Sequence, residues 1–134
     1  MNGTVLGDLT ITVEEPAADR IILRWRGASN TQDPGSGLKT FFDVLFAEAA
    51  RRQAVVEQHF EQLTFFNSST VSALLRIVTE AGRLSLPMTL HYDGSLRWQA
   101  HNFEGIAAIA NSLPFLKVIK VGEFPAVERV SLKD

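Results

Sequence analysis

The chain has 134 residues, 46% hydrophobic and 21% charged, the size and profile of one folded domain rather than a disordered segment. Thirteen basic against fifteen acidic side chains leave a formal net charge of −2, so it lacks the basic surplus of a phosphate-tracking nucleic-acid binder. There is no cysteine, which excludes a disulfide framework, a thiolate nucleophile and any zinc site built on cysteine.

Met1 to Glu15 is acidic and has no continuous apolar stretch, unlike a secretory signal. Later apolar stretches are broken by charge well short of the ~18 residues that cross a bilayer. A cytoplasmic protein without membrane attachment is expected, as one domain over 1–134 with its core at about 9–121 and a tail at 122–134.

In chain order, Leu9, Ile11 and Val13 alternate with Thr10, Thr12 and Glu14, the period of a half-buried strand. Pro16 to Asp19 turns the chain, and Ile21, Leu23 and Trp25 alternate with Ile22, Arg24 and Arg26, so the two strands form a hairpin. Asn30 to Gly37 reads as a loop because Asp33-Pro34-Gly35 is turn chemistry. Leu38, Phe41, Phe42, Leu45 and Ala49 then recur at helical spacing, ending near Arg51-Arg52. Ala54 to Phe60 is the third strand.

Asn67 is a helix N-cap ahead of Ser68-Ser69-Thr70, and Val71, Leu74, Leu75 and Val78 form the apolar stripe of a helix running to about Gly82. Pro87 to Tyr92 is a fourth strand, stopped at Asp93-Gly94. Ser95 is expected to cap a third helix with Leu96, Ala100, Phe103, Ala107 and Ala110 inward, and with Asn102 and Gly105 as weak points. On that helix Trp98 and Ile109 fall opposite the stripe, as Val44 does on the first. A tryptophan outside a core suits a docking patch. Phe115 to Val121 closes the series as a strand.

The order is α/β: an N-terminal hairpin opens a mixed sheet, β-α-β-α-β-α-β follows, and the helices lie mainly on one face. The loops after the second, third and fourth strands then share one sheet edge, where open α/β sheets place function. That edge gathers 30–37, 61–70 and 93–95, so Asp33 and Asp93 flank the hydroxyl cluster.

The Asn67 to Thr70 cluster reads in two ways. It can serve as capping alone, with small residues filling a first turn. It can also accept a phosphate on Ser68 or Ser69, beside unpaired N–H groups and the positive end of the helix dipole.

Other chemistry finds little support. His59, His91 and His101 lie on separate elements without metal-ligand spacing. There is no Gly-x-Ser-x-Gly elbow, phosphate loop or dinucleotide fingerprint. A non-enzyme without metal or cofactor is expected.

The stretch Leu63 to Arg76, LTFFNSSTVSALLR, resembles the signature of the sulfate-transporter and anti-sigma-factor-antagonist (STAS) domain. There Asp-Ser-Ser/Thr-Gly leads into a Leu-rich helix and the first hydroxyl residue is phosphorylated. The resemblance extends to the element order from about Leu9 to Val121. It implies phosphorylation at Ser68, with Ser69 second, although Asn67 stands for the usual aspartate and Thr70 for the usual glycine. A related bacterial regulator family that partners a diguanylate cyclase has Asn-Thr-Ser-Ser here, and its next strand ends in His-Tyr-Asp, similar to His91, Tyr92 and Asp93.

The expectation is a bacterial, partner-switching protein-binding module. Its partners would be a serine kinase of the anti-sigma type, a phosphatase or a downstream effector enzyme. The partner surface would comprise Asn67, Ser69, Thr70, Ser72, Ala73 and Arg76 with Asp33, Asp93 and Trp98. A scaffold of the same fold that is never phosphorylated, or a small-ligand sensor, is the alternative.

Overall fold

A computed structural model describes residues 1–122; the tail expected beyond Gly122 lies outside the described residues. The elements are β1 (Thr4–Leu6), β2 (Leu9–Ala17), β3 (Arg20–Ser29), α1 (Pro34–Arg52), β4 (Val55–Phe66), α2 (Ser68–Arg83), β5 (Met88–Asp93), α3 (Arg97–Ala110) and β6 (Leu116–Val121). They build a six-stranded sheet in the order β1-β2-β3-β4-β5-β6. The first two pairings are antiparallel and the remaining three parallel. Each helix joins neighbouring parallel strands and the order always advances the same way, so right-handed crossovers put all three helices on one face.

The expected hairpin is β2–β3, with Ile11 opposite Trp25 and Val13 opposite Leu23. Leu9, Ile11, Ile21, Leu23, Trp25, Val56, Phe60, Met88 and Leu90 project from the strands into one core with Leu38, Phe42, Leu45, Leu74, Val78 and Phe103 of the helices. Aromatic rings tie the layers: Trp25 to Phe60 at 4.9 Å, Phe60 to Phe103 at 4.8 Å and Phe103 to Tyr92 at 5.3 Å. Gln58, buried among them, accepts from the Trp25 indole N–H at 2.9 Å, as a buried amide must.

The structure departs from the sequence reading in several places. β1 was not expected; three residues at a sheet edge, with Val5 exposed, are too few to show a period. The 30–37 loop is shorter than its composition suggests, because α1 begins at Pro34. Proline lacks only an N–H that a first turn leaves unused. Gly37 belongs there by contact, since a Cβ would stand 2.6 Å from Leu6 Cδ2.

β4 runs past Phe60 to Phe66, so 61–66 is strand rather than loop. Its pairing with β3 slips between Arg24 and Arg26 and again between Gly27 and Ala28. This changes the phase of burial, and Leu63 and Phe66 follow Phe60 inward.

α3 is continuous through Asn102 and Gly105. Leu96, not Ser95, occupies its N-cap position, because the Ser95 N–H and hydroxyl both bond Asp93 Oδ1 at 2.9 and 2.6 Å. Its buried residues are Gln99, Phe103 and Ile106. Ile109 and Val44 are exposed as expected. Trp98 is not: it is half-buried, edge-on to Phe66 at 5.2 Å.

Candidate functional site

The carboxyl ends of β3, β4 and β5 meet at one edge of the sheet, and α2 starts there. Asn67 caps it as expected: its Oδ1 accepts from the Thr70 N–H at 2.9 Å and from the Thr70 hydroxyl at 2.9 Å. The other end of the same amide donates from Nδ2 to the Thr31 carbonyl at 2.9 Å. The Asn67 N–H donates to the Ser29 carbonyl at 3.1 Å. Thr70 Oγ1 lies 2.6 Å from Ser29 Oγ, with both residues buried. These bonds clasp the end of β3 and the loop after it to the first turn of α2.

Asn67 and Thr70 are thereby explained. An aspartate at 67 would set a carboxylate oxygen against the Thr31 carbonyl, and a glycine at 70 would leave Ser29 without its hydroxyl partner. Thr70 is fully buried, so it holds the site from beneath and presents no side chain to a partner. Ser68, Ser69 and Ser72 are exposed. The first-turn N–H groups at 68 and 69 have no intrahelical acceptor, and no acidic residue occupies that turn.

Ala73 is 3% exposed, which corrects its placement on the outer face of α2. The helix packs against α1 as well as the sheet, so its buried arc also takes in Ala73 and Ile77. Ala73 instead lies on the floor of a groove of about 710 Å³ between α1 and α2, with Leu38, Phe42 and Ile77; Asp33 and Arg76 line the same groove. The Arg76 guanidinium lies over Gly35, 3.1 Å from where a Cβ would stand.

Asp33 and Asp93 do not converge on the serines, and among the described residues neither carboxylate bonds the hydroxyls of 68–70. Asp33 sits at the start of α1, with the Ser36 hydroxyl at 3.5 Å. Asp93 holds Ser95. Trp98 meets the edge through Phe66, the residue before Asn67.

Two residues of the edge were missed. Ser29 gave no local signal. Gln99 is fully buried; its Nε2 donates to the Phe60 and Leu63 carbonyls at 2.8 and 2.9 Å, and its Oε1 accepts from the Asp93 N–H at 2.8 Å. One amide thus stitches the end of β4 to the end of β5. Its only sequence trace was a glutamine one turn before Phe103.

His59 and His91 lie on the helix-free face of the sheet, and His101 is exposed on α3. Among the described residues no group of three or more His, Cys, Asp and Glu could hold a metal, and no helix is long and apolar enough to cross a membrane.

No protein-family model and no curated protein matches the chain. Solved structures do. Unphosphorylated SpoIIAA, an anti-sigma factor antagonist, aligns at TM-score 0.55 with 16% identity, over 90% of this chain and 96% of its own. The phosphorylated form of the Bacillus cell fate determinant SpoIIAA aligns at 0.54 with 16% identity, over 90% and 98%. A chain of the Pseudomonas aeruginosa complex of the diguanylate cyclase SiaD with its activator SiaC aligns at 0.60 with 19% identity, over 88% and 97%. The protein has the STAS, or SpoIIAA-like, fold.

Proposed function

We propose that this chain is a non-enzymatic, cytoplasmic protein-binding regulator of the anti-sigma-factor-antagonist type, switched by reversible phosphorylation of Ser68. The observation that carries this reading is the exposed Ser68 in the first turn of α2, on an edge held by the Asn67–Thr70–Ser29 clasp. A phosphate there meets unused backbone N–H groups and the positive end of the helix dipole, which stabilise it locally. Asn67, an amide, cannot act as a base toward Ser68, which suits a serine modified by another enzyme's chemistry.

The neighbours support the same reading. SpoIIAA is described in unphosphorylated and phosphorylated forms, and SiaC as the activator of a diguanylate cyclase. By likeness, the partners are a serine kinase, a phosphatase or an effector enzyme, in a bacterial cell. Ser69, Ser72 and Arg76 with Asn67 form the partner surface beside Ser68, and Asp33, Asp93 and Trp98 border it.

Mass spectrometry of the chain purified from its native cells tests the modification. The peptide containing Ser68 should carry a phosphate that Ser68→Ala abolishes. An unmodified peptide in every growth phase would remove the switch.

A second reading, a constitutive scaffold or small-ligand sensor, is favoured by the groove between α1 and α2, whose volume falls in the range of ligand pockets. A scaffold binds its partner equally as Ser68→Ala and Ser68→Asp.

A further inference from the structure

On the helix-free face, His59 of β4 and His91 of β5 are directly opposed in the parallel register. Their rings stack at 4.1 Å between centroids, 13° from parallel. Strands lie about 4.8 Å apart, so the sheet itself sets this separation and the backbone cannot relieve it. We propose that the two histidines share a single proton, making this face of the sheet a pH-responsive surface that gains one charge on acidification rather than two.

The geometry assigns the proton to one ring. His59 Nδ1 lies 3.2 Å from both carboxylate oxygens of Glu61, so a charged His59 forms an ion pair with a neutral ring stacked on it, and a cation over a neutral ring is attracted. His91 Nε2 lies 3.1 Å from the Thr89 hydroxyl, a partner that a neutral imidazole keeps because a hydroxyl can donate as well as accept. A second proton would place two like charges face to face. Burial, and then the charge of His59, hold the His91 pKa below its ordinary value.

The charged groups around the pair come from every neighbouring strand. β2 supplies Glu14, bonded to Arg24 of β3 at 2.5 Å, and β3 also supplies Arg26. Glu57 and Glu61 stand on β4, Asp93 on β5 and Lys117 on β6. Among the described residues no helix lies on this face.

The sign of the linkage follows. The lowered pKa means that neutral His91 contributes its full stabilisation above its ordinary value, about pH 6.5. That contribution is lost as pH falls through the lowered value.

An NMR titration of the ring signals of the full chain, from about pH 8 to about pH 5, tests the proposal. In the wild type, the stacked pair should take up a single proton over most of that range, with the His91 signals shifting only toward its acid end. In His59→Gln, the His91 step should move up toward the ordinary value. A common midpoint for both rings in the wild type overturns the proposal, and so does a His91 step unmoved by His59→Gln. Should the variant not fold, the wild-type titration decides alone.

Discussion

At the residue scale the site rests on side chains that use both ends of their chemistry. Asn67 accepts at Oδ1 from Thr70 and donates at Nδ2 to the loop carbonyl of Thr31. Asn67→Asp keeps the cap, which aspartate performs equally well, but loses the donor and brings a carboxylate against a carbonyl. Urea unfolding should register a loss of about 1–3 kcal/mol, although the substitution restores the residue usual in the resembling family. The cap itself was legible, because Asn ahead of three small hydroxyl residues and an apolar stripe is a local pattern. The rest of the clasp was not: Ser29 and Thr70 are 41 positions apart, and a hydrogen bond across that span leaves no periodicity to read.

At the element scale, α2 and the end of β4 respond differently to change. An aspartate at Ser68 adds negative charge to a first turn that has none, a favourable dipole interaction of about 0.3–1 kcal/mol. Ser68→Asp should therefore leave the melting temperature within a few degrees and the helical circular dichroism intact. Loss of helix would show that modification melts α2, contrary to a switch read at the surface.

Gln99→Leu should act on β4 instead. It orphans the Phe60 and Leu63 carbonyls at about 1–3 kcal/mol each, and hydrogen exchange should accelerate along 60–66 while β2 and β3 stay protected. The helices and the inner strands were legible because their apolar periods are long. The outer half of β4 was hidden by its two register slips, which break the alternation that marks a strand. Ala73 was misplaced for a related reason. A single helical period describes one packing face, whereas α2 has two, toward the sheet and toward α1.

At the scale of the whole molecule, one parallel topology determines both surfaces. Three successive crossovers in one direction put α1, α2 and α3 on one side, which leaves the other to His59, His91 and the charged strand residues. The same crossovers bring the ends of β3, β4 and β5 to one edge, where α2 presents Ser68. Element order alone implied that edge, and the resemblance of LTFFNSSTVSALLR pointed to the serine. Which neighbouring groups converge on it depended on packing, and Asp33 and Asp93 proved to belong to α1 and the β5 turn.

A phosphate on Ser68 would leave this framework standing and change what docks on it, since a charged group must be desolvated in an interface built for a hydroxyl. The most direct measurement is quantitative capture from native-cell extract on immobilised Ser68→Ala and Ser68→Asp forms of the chain. A partner recovered by Ser68→Ala and reduced at least tenfold with Ser68→Asp, a difference of about 1.4 kcal/mol or more, is the predicted result. Equal recovery of every bound protein by the two forms would contradict the switch.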